Sequence, residues 1–260
     1  MTDLTVVTFV WPGPRGCLLE HASILGAMVR RHAPGARVVA IADQPGPCPG
    51  VEVIRTPPAA LAMARLESPE GARFPSSYRR LWLFSLEARE VLGADRILLT
   101  DVDAVVVRDL SPLVDEHVDP FIGWRPRMVW GRAGEARLAG GMWALDLDTH
   151  TDVWYEFARD PEKAIARARA AGFRGSDQAW LSFKLAKTAP VWPAGSGVYS
   201  IRDFLERDRH SGRPVRGGQL DANVLPADAR VVHLNGPRHF KPWSPEARAR
   251  FPWVREHWRR

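Results

Sequence analysis

Residues 97–107 read Ile-Leu-Leu-Thr-Asp-Val-Asp-Ala-Val-Val-Val, two carboxylates one residue apart inside an otherwise apolar stretch. Apolar, β-branched runs of this kind form buried strands. Extended backbone here sends Asp101 and Asp103 to one side and Val102 to the other. Two like charges that close repel, and half-burying them without a partner is costly. A divalent cation resolves both problems. Hard oxygen ligands suit Mg²⁺ or Mn²⁺, which pair one or two carboxylates with substrate phosphates. The competing reading is that the two acids cap a helix or a turn. Asp109, in Arg108-Asp109-Leu110-Ser111-Pro112, reads as an N-cap. The end of a parallel strand is also where α/β folds bind ligands.

The rest of the chain supplies such a sheet. Leu4–Val10 reads as a buried strand broken by Trp11-Pro12-Gly13-Pro14, and residues 17–32 as a helix. Arg37–Asp43 and Val51–Ile54 read as further strands, so strand, helix and strand follow in the order of a parallel α/β sheet. Residues 57–75 carry no clear pattern. From Tyr78, the spacing of Leu81, Trp82, Ser85, Ala88, Val91 and Leu92 predicts one helix ending near Gly93. Later strands are expected at Phe121–Trp124, Met142–Leu147 and Val231–Leu234, and helices at 151–159, 161–171 and 177–186. Residues 207–218 read as a basic loop. The tail 244–260 carries five Arg with Phe251, Trp253 and Trp258, and its centre reads as helical.

At 260 residues the chain forms one large domain or two small ones. No apolar run approaches the ~18–20 residues of a transmembrane segment. The start of the chain lacks the basic region of a secretory signal, and Cys17 and Cys48 form no motif. Together these predict a cytoplasmic protein with free thiols. The net charge is +6, and Lys supplies only four of the 36 basic residues. An Arg-dominated basic protein attracts anions: nucleotide, nucleic acid or anionic membrane. Eleven Trp residues serve a core or stack on sugars and bases.

The segment Arg96-Ile-Leu-Leu-Thr-Asp-Val-Asp-Ala-Val-Val-Val-Arg-Asp-Leu-Ser-Pro-Leu113 resembles the signature of GT-A glycosyltransferases of the glycogenin and lipopolysaccharide-galactosyltransferase type (glycosyltransferase family 8-like). Small bacterial and phage enzymes of this type share it. Further segments fall in the family's order. Tyr78-Arg79-Arg80-Leu81 resembles its upstream basic helix, and Ala139-Gly140-Gly141-Met142-Trp143-Ala144-Leu145-Asp146 its next strand. Ser176-Asp177-Gln178 resembles its Asp-Gln helix start. Val232-His233-Leu234-Asn235-Gly236, followed by Lys241-Pro242-Trp243, resembles its closing motif. One departure stands out: four residues separate Gly236 from Lys241, where the family usually has two.

The resemblance implies a single-domain α/β GT-A fold over residues 1–243, with a mixed, mostly parallel sheet flanked by helices. Residues 1–107 would be the nucleotide-binding half, 108–243 the acceptor and catalytic half, and 244–260 a basic aromatic tail. It implies Asp101, Asp103 and His233 as ligands of Mn²⁺ or Mg²⁺, with His239 as a rival to His233. Arg80, Asp101, Gly140, Gly141, Gly236 and Lys241 would hold a nucleotide-sugar, with Arg79 on the solvated face. Thr8, Phe9, Trp11 and Asp43 lie where this fold holds the base and ribose, although Phe9 suits core packing equally well. Asp177 and Gln178 would lie at the reacting sugar carbon, with helix capping as the competing role for Asp177.

The implied reaction is metal-dependent transfer from a UDP-sugar to an acceptor hydroxyl, with retention. The acceptor is a saccharide, a lipid-linked sugar, a protein side chain or a hydroxymethylated base of DNA. For DNA, Arg207, Arg209, Arg213 and Arg216, with Arg255, Arg259 and Arg260, would contact phosphates. Two other classes remain open: a nucleotide-sugar binding protein without turnover, and a nucleotidyltransferase.

Overall fold

The computed structural model describes residues 4–11, 18–64, 66, 75–126, 138–173, 175–205, 220–234 and 238–259. Strand β1 (Thr5–Val10) is buried along its whole length, as a strand covered on both faces must be. It pairs in parallel with β2 (Arg37–Ala42) on one side and β4 (Arg96–Thr100) on the other. β3 (Glu52–Arg55) continues the sheet beyond β2. β7 (Met142–Asp146) runs antiparallel to β4, and β6 (Phe121–Gly123) antiparallel to β7. The six-stranded order is β3-β2-β1-β4-β7-β6. The mixed, mostly parallel α/β sheet expected from the sequence is therefore present.

Side chains alternate strictly across this sheet. Val6, Leu98, Met142 and Ala144 face one cluster, shared with Leu25, Met28 and Val29 of helix α1 (Leu19–His32). Val7, Phe9, Ile97, Leu99, Trp143 and Leu145 face the other. There they meet α3 (Leu86–Leu92), α5 (Asp152–Arg159), α6 (Pro161–Ala170) and α7 (Asp177–Leu185). A second, three-stranded sheet lies on the first face, in the order β5 (Ala104–Val106), β9 (Val231–His233), β8 (Val198–Ser200).

Three expectations change. Residues 101–103 are not extended: the Ala104 N–H donates to the Asp101 carbonyl at 3.0 Å, a turn that carries the chain from one sheet to the other. The acidic pair thus sits on a corner between sheets. The single helix expected over 78–93 is a succession of 3-10 turns over Pro75–Phe84, followed by α3. Ser85 makes the break, its hydroxyl capping α3 by accepting the Ala88 N–H at 3.2 Å. Tyr78, Leu81 and Phe84, spaced by three, are all buried. The patternless segment 57–75 contains α2 (Pro58–Met63).

The tail is helical at its centre, as expected. Helices α8 (Pro245–Arg250) and α9 (Pro252–His257) fold back onto the first face. Phe251, Trp253, Val254 and Trp258 are buried in the cluster that holds Leu25 and Val106. These rings are core, while Pro252, Arg255, Glu256 and Arg259 reach solvent. Asp109, read as an N-cap, accepts from both the N–H and the hydroxyl of Ser111 at 2.9 Å, just ahead of α4 (Pro112–Asp115). Among the described residues no helix is long and apolar enough to cross a membrane.

Candidate active site

The ends of β2, β1 and β4, with the start of β7, form one edge of the main sheet, and the charged residues of the site line it. Asp43 follows β2. It accepts from the Thr56 hydroxyl at 2.8 Å and is ion-paired with Arg79. Arg79, expected on a solvated face, is 3% exposed. The correction has a physical cause: the 3-10 turns are wrapped by core, and the guanidinium is satisfied by Asp43 and by the ring of Trp11, 4.9 Å away. Trp11 follows β1, and its ring also lies 5.3 Å from the Arg80 guanidinium. Phe9 is 4% exposed within the core, so packing wins over base stacking for this ring. Thr8 is wholly buried, and its hydroxyl has no hydrogen-bond partner.

Arg80 is the hub. It is ion-paired with Asp101 and lies 3.4 Å from Asp177. Burial disfavours its charge, but Asp101, Asp177 and Asp103 outweigh that and hold it above the usual arginine range. Asp177 is 2% exposed in the first turn of α7. Ser176 makes no capping hydrogen bond; its hydroxyl donates instead to the Asp177 carboxylate at 2.8 Å. Asp177 is therefore aimed at Arg80 and Ser176, and capping does not account for it. Gln178 is half-buried beside it.

Gly140 and Gly141 make this convergence sterically possible. A Cβ on Gly140 would lie 2.6 Å from an Asp177 carboxylate oxygen, and one on Gly141 would collide with the Asp101 carboxylate. The Asp101 N–H donates to the Gly141 carbonyl at 3.0 Å, continuing the β4–β7 ladder by one step.

The second sheet brings up the other half. In the β5–β9 pair Ala104 stands opposite His233, and the Leu234 N–H donates to the Asp103 carbonyl at 3.2 Å. His233 is 1% exposed, its ring stacked 4.9 Å from Trp124, and its Nε2 has no hydrogen-bond partner. Burial pushes its pKa down to about 4 despite the pull of Asp103, so the imidazole is neutral. Burial likewise pushes Asp101 up to about 6, more than Arg80 lowers it, with Asp103 adding to the rise. Lys241 is ion-paired with Asp103, and its Nζ lies 3.4 Å from the Leu234 carbonyl.

Among the described residues no three His, Cys, Asp or Glu side chains already converge as a ready-made metal cage. The donor chemistry nonetheless suits a divalent cation: two carboxylates at the corner, and beside them a neutral, buried imidazole with an unpartnered nitrogen. The carboxylates are occupied by Arg80 and Lys241 instead. His239 lies in the 3-10 turn Arg238–Phe240, whereas the β5–β9 register brings His233 beside Asp103. Gly236, the basic loop with Arg207, Arg209, Arg213 and Arg216, and Arg260 lie outside the described residues.

One contributor has no sequence motif. His21, in the first turn of α1, is stacked on Trp243, centroids 4.0 Å apart and planes 5° from parallel. The segment that carries Lys241 is thereby fastened to the helix that follows β1. Only a contact between side chains distant in sequence reveals it.

No protein-family model and no curated protein matches this chain. Solved structures do. The galactosyltransferase LgtC, solved with donor and acceptor sugar analogues, superposes with a TM-score of 0.64 at 15% identity, over 96% of this chain and 95% of that one. Mouse xyloside xylosyltransferase 1 gives 0.55 at 13% identity, over 90% and 98%. The glycosyltransferase GlyE of Streptococcus pneumoniae gives 0.57 at 14%, over 94% of this chain and 57% of that one. The chain therefore has the GT-A glycosyltransferase fold.

Proposed function

We propose that this chain, on its GT-A fold, is a glycosyltransferase that moves a sugar from a nucleotide diphosphate sugar, a UDP-sugar, to an acceptor hydroxyl. The observation that carries the reading is the convergence of Asp101, Asp103 and Asp177 with Arg80, Lys241 and the unpartnered His233 nitrogen at one sheet edge. Structural ion pairs alone do not call for three carboxylates, two cations and a bare neutral imidazole gathered beside the ends of adjacent strands. A site that handles a polyphosphate does.

In this reading Asp101, Asp103 and His233 hold Mn²⁺ or Mg²⁺. When bound, the cation neutralises charge that develops on the leaving diphosphate. Lys241 adds a point charge for phosphate, and Arg80 a fixed one beside the sugar. Trp11 and Asp43, at the ends of β1 and β2, take the base and ribose. Asp177 and Gln178 line the reacting carbon. Asp177 is already engaged by Ser176 and Arg80, so it orients and stabilises positive charge on the sugar rather than deprotonating the acceptor. That favours retention of configuration. An active-site mutant of LgtC is a glutamine-to-glutamate change, which supports a role for Gln178.

The acceptor is a saccharide, lipid-linked sugar or protein side chain. Burial of Phe251, Trp253 and Trp258 removes the stacking platform that a DNA acceptor would use. The test is a donor screen with Mn²⁺, reading nucleotide release and the anomeric configuration of the product, with hydroxymethylated DNA among the acceptors. Turnover of a UDP-sugar onto a saccharide or peptide is expected. Transfer to DNA alone would replace the acceptor assignment, and no nucleotide release from any sugar nucleotide would remove the reading.

A further inference from the structure

We infer that Lys241 is a resident counter-cation for Asp103, which a divalent metal and a diphosphate must displace together. The inference rests on the proposed function and assigns Lys241 a role before the donor arrives. Lys241 and Asp103 are both buried, 6% and 7% exposed, and ion-paired. Among the described residues the ammonium's other polar neighbour is the Leu234 carbonyl, 3.4 Å away.

The local charge sets the consequence. Asp101, Asp103 and Asp177 face Arg80 and Lys241. The cluster is one charge short of neutrality. A dication entering alone overshoots to net positive. It also takes Asp103 from Lys241, stranding a buried ammonium, which is costly. A diphosphate entering alone meets three carboxylates. Entering together, the dication takes the carboxylates, and the diphosphate receives the freed ammonium as a charge-assisted donor. Metal and nucleotide binding are then coupled, each raising the affinity of the other by the same factor. Arg80 cannot serve this exchange, because its guanidinium also holds Asp177.

The experiment measures Mn²⁺ binding directly, by electron paramagnetic resonance of free Mn²⁺, with and without saturating UDP. It compares the wild-type chain with Lys241→Met. The wild type should bind Mn²⁺ weakly alone and at least about tenfold more tightly with UDP, within the usual span of coupled sites. Lys241→Met should bind Mn²⁺ alone about tenfold more tightly than the wild type, with UDP adding little. Lys241→Arg, which keeps the cation, should stay as weak as the wild type. Should Lys241→Met fail to melt cooperatively, Lys241→Gln carries the same expectation, since it keeps a donor to Asp103 without the charge. Equal or weaker Mn²⁺ affinity in the neutral variants, with coupling intact, overturns the counter-cation role and leaves the proposed function standing. No Mn²⁺ binding by the wild type even with UDP overturns the metal-dependent reading itself, and this inference with it.

Discussion

The imidazole of His21 lies flat on the indole of Trp243, so that α1 and the segment bearing Lys241 are joined by one aromatic stack. Such pairs contribute about 0.5–1.5 kcal/mol beyond their buried area. His21→Ala should therefore lower unfolding free energy by roughly 1–2 kcal/mol in urea. It should also weaken UDP binding severalfold, because Lys241 loses its anchor. His21→Phe restores a ring and should recover most of the nucleotide affinity. If Phe is no better than Ala by calorimetry, the stack does not position Lys241.

Gly141→Ala should remove most activity while the chain still folds cooperatively. Its Cβ would displace the Asp101 carboxylate, while the β4–β7 ladder remains. Gly140→Ala should act in the same way through Asp177. A drop of tenfold or more in turnover is expected for each, with a melting transition that stays cooperative. Unchanged turnover in Gly141→Ala would mean that Asp101 is not held where the reaction needs it.

The pH dependence of stability carries two opposed contributions. The folded-state pKa of Asp101 is raised to about 6 from 3.8, chiefly by burial. As pH falls from about 6 toward 3.8, the folded state takes up this proton first and gains stability. That of His233 is lowered to about 4 from 6.5, again chiefly by burial. As pH falls from 6.5 toward about 4, the unfolded state takes up this proton first and stability is lost. Each is worth at most about 1.4 kcal/mol per pH unit. In metal-free protein the two largely cancel. Asp101→Asn removes only the gain, so its melting temperature should fall more steeply than that of wild type between pH 6.5 and 4. Parallel curves would show that Asp101 is not desolvated.

Trp253→Ala tests the position of the chain's last segment. The ring is 3% exposed, and its Nε1 donates to the Ala222 carbonyl at 3.1 Å. Removing a buried Trp costs about 3–5 kcal/mol. A loss of that size in urea unfolding is expected. A change below about 1 kcal/mol would be that of an exposed ring.

Much of this was legible in the sequence, for identifiable reasons. Buried strands such as Thr5–Val10 and Arg96–Thr100 are unbroken apolar runs, which periodicity and length reveal. Asp101 and Asp103 stand out because they interrupt such a run and His233 because it follows one, whereas Asp177 and Lys241 are picked out only by the resemblance of Ser176-Asp177-Gln178 and Lys241-Pro242-Trp243 to the family's motifs. The corner at 101–103 stays one of two readings in the sequence because extended and turn conformations accommodate Asp-Val-Asp equally well. Only the second sheet, whose strand β8 has just three residues, shows why the chain must turn there. The break at Ser85 was hidden because its spacing also continues a helical stripe. The burial of the rings in 244–260 is not legible, because Arg alternating with aromatics reads the same whether the rings face a core or a ligand. Arg79 and Arg80 are adjacent and alike in sequence. Their separate partners, Asp43 and Asp101, come from different strands.

The central claim, metal-dependent use of a nucleotide-sugar at the acidic corner, is tested most directly by nucleotide release from UDP-sugars at limiting Mn²⁺, comparing wild type with Asp103→Asn. The substitution keeps the size of the side chain and removes its charge. The account predicts Mn²⁺-dependent UDP release by the wild type that falls at least about a hundredfold in Asp103→Asn, the scale of losing a group that stabilises transition-state charge. The melting transition should stay cooperative. Release by Asp103→Asn within about threefold of wild type, under the same limiting metal, would contradict it.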